Sequence, residues 1–211
     1  MIRLYKQHEL EKIKIYIKKN RVGIFTKNTK EKCYDFHEKE NARYVWFQQY
    51  FLMQIFAYKD IFEFLQTKPS FKSLIEFHAS YKYLIYSKSH KHYKQLGNIV
   101  ANRSKKSLCK VLDEYKIIFL DAISLKESIA KTYNIFLHMY GYFKNYITKD
   151  EKQKILKLLN MFKQGLVSLK SVLEVLVLYI KKFDIKYLEN QKILNPYPKK
   201  LEFYLYNKDL Y

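Results

Sequence analysis

Three consecutive pieces decide the fold: HMYGYFKNYITKDEKQKIL at 138–156, FKQGLVSLKSVLEVLVLYIKK at 162–182 and YLENQKILNPYP at 187–198. Thr148 followed by Glu151 has capping-box spacing, in which the hydroxyl accepts from the N3 amide and the carboxylate reaches back to the cap. Ile155, Leu158, Leu159 and Phe162 then recur at i, i+3, i+4 and i+7, the spacing of one helix face. Lys152, Lys154, Lys157 and Lys163 occupy much of the opposite surface. Gly165 is placed to end this helix, since glycine tolerates the left-handed conformation of a C′ residue. From Val172 to Ile180 Glu174 is the single charge, a composition that predicts a helix at the centre of a bundle. Asn195, Pro196 and Pro198 close the segment, because proline lacks a donor and pushes its predecessor out of the helical region. The stretch therefore reads as a helical hairpin followed by a shorter third helix.

The rest of the chain fits that grammar. Its 211 residues hold enough apolar side chains (48%) for a core, and only 4 Gly and 3 Pro, too few for a turn-rich β-sandwich. A long helix is expected from Asn41 to Gln66, ended by Thr67, Lys68 and Pro69. Its apolar residues leave little polar surface, so the 44–65 segment is expected to be buried within the monomer. Ser70 is expected to cap the next helix, which turns Leu74, Phe77, Tyr81 and Ile85 to a core. Further helices are expected over Ser89 to about Asn102, with Gly97 as a point of close approach, and over Lys106 to Ala122. Ser124 with Glu127 repeats the capping-box spacing and is read as opening a helix through Tyr146. Residues 1–43 read as an arm or linker with a short helix, 44–205 as the helical domain and 206–211 as a tail. The expected fold is all-α, a single-domain multi-helix bundle with a short extended C-terminal tail.

Composition also bounds the partners. The net charge is +20, with 40 Lys and Arg against 20 Asp and Glu. Part of the lysine excess is what an AT-rich genome would produce, but an unbalanced excess of this size creates a field that favours polyanions. Cys33 and Cys109 lie far apart with no CxxC, as expected of reduced thiols in a cytoplasmic protein. The N-terminus MIRLYKQHELEKIK has no apolar core of a secretory signal. The longest run without charge, Tyr44 to Tyr58, is shorter than the roughly 20 apolar residues a spanning helix needs.

The distribution of charge points to a surface. From Phe77 to Leu112 there is no Asp or Glu, while Lys82, Lys88, Lys91, Lys94, Arg103, Lys105, Lys106 and Lys110 all fall in that window. Tyr81, Tyr83, Tyr86 and Tyr93 are interleaved with them. Cations neutralise phosphates and aromatic rings stack on unpaired bases, so the window is a candidate nucleic-acid interface. The alternative is a solvated lysine face whose tyrosines cover the core. A second candidate is a pocket made by His78, His138, Tyr142 and Lys144, if the two helix faces meet; the alternative is a core histidine. His90 and His92 do not converge on a helix and have no third ligand, so no metal is expected. No GxSxG, P-loop, GxGxxG or HExxH occurs, so no cofactor or catalytic residue is assigned.

The pieces FHASYK (77–82), YKQLGNIVAN (93–102), NIFLHMYGYFK (134–144), FKQGLVSL (162–169) and YLENQKILNPYPKKL (187–201) resemble the YbgA-like family, a bacterial domain of unknown function. The resemblance runs from about Tyr44 to Leu205, and GYFK and YLxxQxxLxPYPxxL are its specific patterns. It retains His78, Lys82, His138, Gly141, Tyr142, Phe143, Lys144, Gly165, Gln191 and Pro196. It departs at Tyr81, Lys88, Thr132 and Leu178, where the family commonly has histidine, and at Ser168 and Val172, where it commonly has proline. In that family the domain also occurs fused to an iron–sulfur desulfidase acting on thiouracil or on thiouridine in tRNA, where it is thought to supply RNA binding. The resemblance thus implies a stand-alone RNA-binding module, with tRNA as ligand, assisting a desulfidase carried on another chain. The alternatives are a small enzyme with a His/Lys pocket and an oligomeric adaptor.

Overall fold

The long aromatic helix forms as its composition predicts: in the computed structural model α1 runs Glu38–Gln66. It starts a few residues earlier than the sequence suggests. The structure describes residues 38–126 and 128–198, so the short helix expected before residue 20 and the extended tail lie outside the described residues. The chain divides into two compact units, one of Leu52–Tyr197 and one of Met1–Phe51 with Pro198–Tyr211. Of the latter, the helical residues 38–51 and Pro198 are described.

Within Leu52–Tyr197 the elements after α1 are α2 (Phe71–Lys88), α3 (His90–Ala101), a 3-10 turn (Arg103–Lys105), α4 (Leu108–Ser124), α5 (Ile129–Phe143), α6 (Lys149–Lys163), α7 (Leu169–Lys182) and α8 (Lys186–Glu189). The described residues contain no strand, and the fold is all-α. Helix α2 is the hub, packing against α3, α4 and α5, while α6 and α7 close against α5. The core follows the helical period: Val111, Tyr115, Phe119 and Ala122 on α4 are buried, as are Ile135, Phe136, Met139 and Phe143 on α5. Phe77 stacks on both Phe64 and Tyr81, with centroids 4.5 and 4.8 Å apart, and Tyr81 meets Phe119 edge-on at 5.0 Å. Met53, Ala57 and Ile61 of α1 are buried in this unit. None of the large apolar side chains described on α1 is among the exposed ones.

Local chemistry explains most boundaries. The capping box of Thr148 and Glu151 forms at 2.8 and 3.2 Å, and Gly165 takes the left-handed conformation at φ 74. Ser70 caps α2 reciprocally with Ser73. Ser89 serves two helices, donating its amide to Ile85 at the end of α2 and capping α3 through its hydroxyl. The family motif at 187–198 is a clasp on α2. Gln191 Nε2 donates to the Ala79 carbonyl at 2.9 Å, the Lys192 amide donates to Ser80 at 2.9 Å, and Lys192 Nζ pairs with Asp60 at 2.5 Å. Ile193, Leu194, Pro196 and Tyr197 are buried beneath it.

Four expectations are corrected. Ser124 does not open α5: α4 continues through it, and Ser128 is the cap, accepting from the Lys131 amide. Helix α7 is not central, because only Leu169, Val172, Leu176 and Ile180 are buried, along one stripe, while Leu178 is 64% exposed. Gly97 makes no close approach, since a Cβ there would meet nothing within 4 Å. Lys88, expected in a solvated binding face, is 1% exposed and donates to the Leu125 carbonyl at 3.0 Å. Its place at the end of α2, beside the loop that enters α5, turns its ammonium inward.

Candidate nucleic-acid interface

The expected cations separate once folded. Lys91 and Lys94 on α3, Lys105 in the 3-10 turn and Lys110 on α4 are exposed, and Arg103 is half-buried, donating to the Val100 carbonyl at 2.9 Å. Lys106 is bound by Glu114 at 2.6 Å. Lys82 lies among rings, 5.9 Å from the centroids of both Tyr93 and Tyr187. Burial alone would lower its pKa, but the Tyr187 and Tyr93 side chains outweigh that and raise it, so the ammonium is firmly held.

Around Lys82 the aromatic residues of four helices converge. Tyr86 stacks on Tyr93 at 4.9 Å and lies 5.1 Å from the His90 ring and 6.1 Å from His138. Tyr142 stacks on Tyr187 at 6.0 Å, and the Tyr83 hydroxyl donates to that of Tyr142 at 3.4 Å. Burial, then the Tyr142 hydroxyl, pushes the Tyr83 pKa well up, so Tyr83 remains a neutral donor. Phe183 adds a further ring beside Tyr146 at 5.6 Å, with the Lys182 ammonium 5.4 Å from its centroid.

The four expected pocket residues differ in their surroundings. His78 Nδ1 meets the Tyr115 hydroxyl at 3.1 Å inside the α2–α4 packing. Burial, with help from Lys82 one turn away, pushes its pKa down to about 4, so it is a neutral core histidine. His138, Tyr142 and Lys144 are exposed on and just after α5. An open concavity of about 380 Å³ lies between α3 and α4, lined by Gln95, Asn98, Ile99, Glu114, Ile117 and Ile118, and holds none of the four.

Ser89, His92 and Asp121 line up like a hydrolase relay, with Ser89 Oγ 2.7 Å from His92 Nδ1 and Asp121 Oδ2 2.7 Å from Nε2. The serine oxygen is buried and already accepts the His92 amide as an N-cap. A nucleophile must reach a substrate carbonyl, and this one is closed between helices. The three residues tie the α2–α3 junction to α4. Among the described residues no group of three or more His, Cys, Asp or Glu side chains could hold a metal ion.

Sequence reasoning missed Tyr146, Phe183 and Tyr187. It also missed a second segment without acids, residues 128–149, which contains all of α5. Folding places this segment against α2 of the first acid-free window. Two stretches without carboxylates, separated in sequence, thus border the same set of rings.

Residues 82–198 match the family described as "Protein of unknown function (DUF1722)". The chain belongs to that family, which is the YbgA-like assignment reached from its motifs. It is 22% identical over 149 residues to "Uncharacterized protein YbgA" of Escherichia coli (strain K12), covering 70% of this chain and 88% of that protein. No solved structure matches it. Among the described residues no helix is long and apolar enough to cross a membrane.

Proposed function

We propose that the chain is an RNA-binding module, with tRNA as its ligand, presenting that RNA to an iron–sulfur desulfidase carried on another chain. The desulfidase partnership comes from the family resemblance. The RNA reading is carried by one observation: two acid-free segments lie side by side around stacked Tyr and His rings, with solvated lysines beside them. Lysines supply sequence-independent attraction to phosphates, and rings supply contacts that only accessible bases can use.

Binding of an unfractionated tRNA pool, followed by fluorescence anisotropy at near-physiological salt, tests this reading. The protein should bind, and combined Lys91→Glu and Lys94→Glu should weaken binding at least tenfold (about 1.4 kcal/mol) with the melting temperature unchanged. Absence of tRNA binding by the parent protein overturns the proposal.

A further inference from the structure

Resting on the RNA-binding reading, we infer that the ligand lies as a single strand over the exposed rings at the C-terminal end of α5 and in the turn after it, its bases stacking on His138, Tyr142 and Tyr146. His138 and Tyr142 lie four residues apart on α5, the spacing that aligns side chains on one face, and Tyr146 follows in the turn after the helix ends at Phe143. His138 is exposed, and Tyr142 and Tyr146 are 44% and 70% exposed. At 1.5 Å per residue, His138 and Tyr142 are about 6 Å apart along the helix axis. Successive nucleotides on one strand of a duplex are about 3.4 Å apart. The rings are therefore spaced for an extended strand with splayed bases, the form in which aromatic side chains can stack on them.

Neighbouring elements complete each station. His138 is backed by Tyr86, Tyr142 by Tyr187 and Tyr146 by Phe183. Lys82 touches the rings of Tyr93 and Tyr187, between the first two stations, and Lys182 lies beside the third. The acids near this path are occupied: Asp184 and Glu189 by Lys186, and Glu151 by Lys182 and Tyr179. Gly141 adds an independent mark. It is an exposed glycine inside a helix, and no packing contact requires it, because a Cβ would meet nothing within 4 Å. Its missing side chain leaves the flank of His138, three residues earlier on the helix, open.

The test uses labelled oligouridylate of about twelve nucleotides, within the usual range of single-strand site sizes, and an RNA duplex of the same length. Anisotropy titrations compare the parent protein, Tyr146→Ala and Gly141→Leu, with thermal melts checking each fold. The parent should prefer the single strand. Both variants should lose about tenfold in single-strand affinity with an unchanged salt slope, since neither removes a cation. Preference for the duplex, or parent-like affinity in a folded variant, overturns the track. If Lys91→Glu with Lys94→Glu still weakens binding in that case, RNA binding survives and only the path is wrong. If no RNA binds the parent protein, both readings fall.

Discussion

His78 shows how the same residue type can read as chemistry in sequence and as structure in the fold. Its imidazole, hydrogen-bonded to Tyr115, is held down to about 4 by burial and then by Lys82, against the ordinary 6.5. The unfolded chain therefore takes up a proton on His78 between pH 6.5 and about 4 while the folded chain does not. Stability linked to this group is complete above pH 6.5, falls through that window and levels off below about 4, with an upper bound of about 3.4 kcal/mol at 1.36 kcal/mol per pH unit. Glu151 acts in a separate window. Its carboxyl is held down to about 2 by the Thr148 amide, then by Lys182, so its contribution is lost only as pH falls below 4.5 toward 2. Thermal melts from pH 7 to 4 should show a falling midpoint, and His78→Gln should flatten the drop above pH 4.5. A parallel drop in the variant would remove His78 as its source. Lys88 teaches the converse lesson. A lysine in a basic window reads as solvated, yet its direction is set by the helix junction and the Leu125 carbonyl it meets, neither visible in local sequence.

Helix α5 carries the tension between stability and access. Glycine inside a helix is destabilising relative to alanine by about 0.5–1 kcal/mol, and around Gly141 there is room for a methyl group. Gly141→Ala should therefore raise the melting temperature by roughly 2–4 °C per kcal/mol gained, measurable by calorimetry. A fall would mean that the backbone there needs glycine for another reason. At the same scale, the capping chemistry of Thr148 with Glu151 and the turn at Gly165 were legible because each needs only four residues or one torsion angle. Ser124 with Glu127 had identical spacing and misled, since α4 had not yet ended and Ser128 was the residue left extended for capping. Val172–Ile180 misled differently. Apolar composition marks what can be buried, and the number of neighbours decides what is; α7 packs on α5, α6 and α8 and leaves Leu178 in water. Part of the candidate site was visible as a window without acids at 77–112. The rest was not, because Tyr187 reaches Lys82 through the clasp at the end of the domain, and Phe183, at the end of α7, reaches Tyr146 through the packing of α7 on α5.

Charge is the property of the whole molecule that most needs dividing between composition and design. A net charge of +20 would attract any polyanion, so weak RNA binding alone would not locate a site. The fold narrows the expected contacts to Lys91, Lys94, Arg103, Lys105 and Lys110, after burial removes Lys88, the Tyr93 and Tyr187 rings enclose Lys82 and Glu114 engages Lys106. If those five neutralise phosphates of a single strand, log affinity should fall with log salt at a slope of about −3.5, taking about −0.7 per phosphate. Reversing Lys91 and Lys94 to Glu should reduce the magnitude of the slope to about 2 by the same rule. Lys154 and Lys157 on α6 are the control: both are exposed, and Lys154 is already paired with Asp150 at 2.7 Å. Reversing that pair changes the net charge by the same amount but should leave the slope near its parent value. Salt titrations of the parent and both double variants decide between local and global attraction. Equal changes in slope would assign the binding to total charge, and the two acid-free segments would then be a compositional accident.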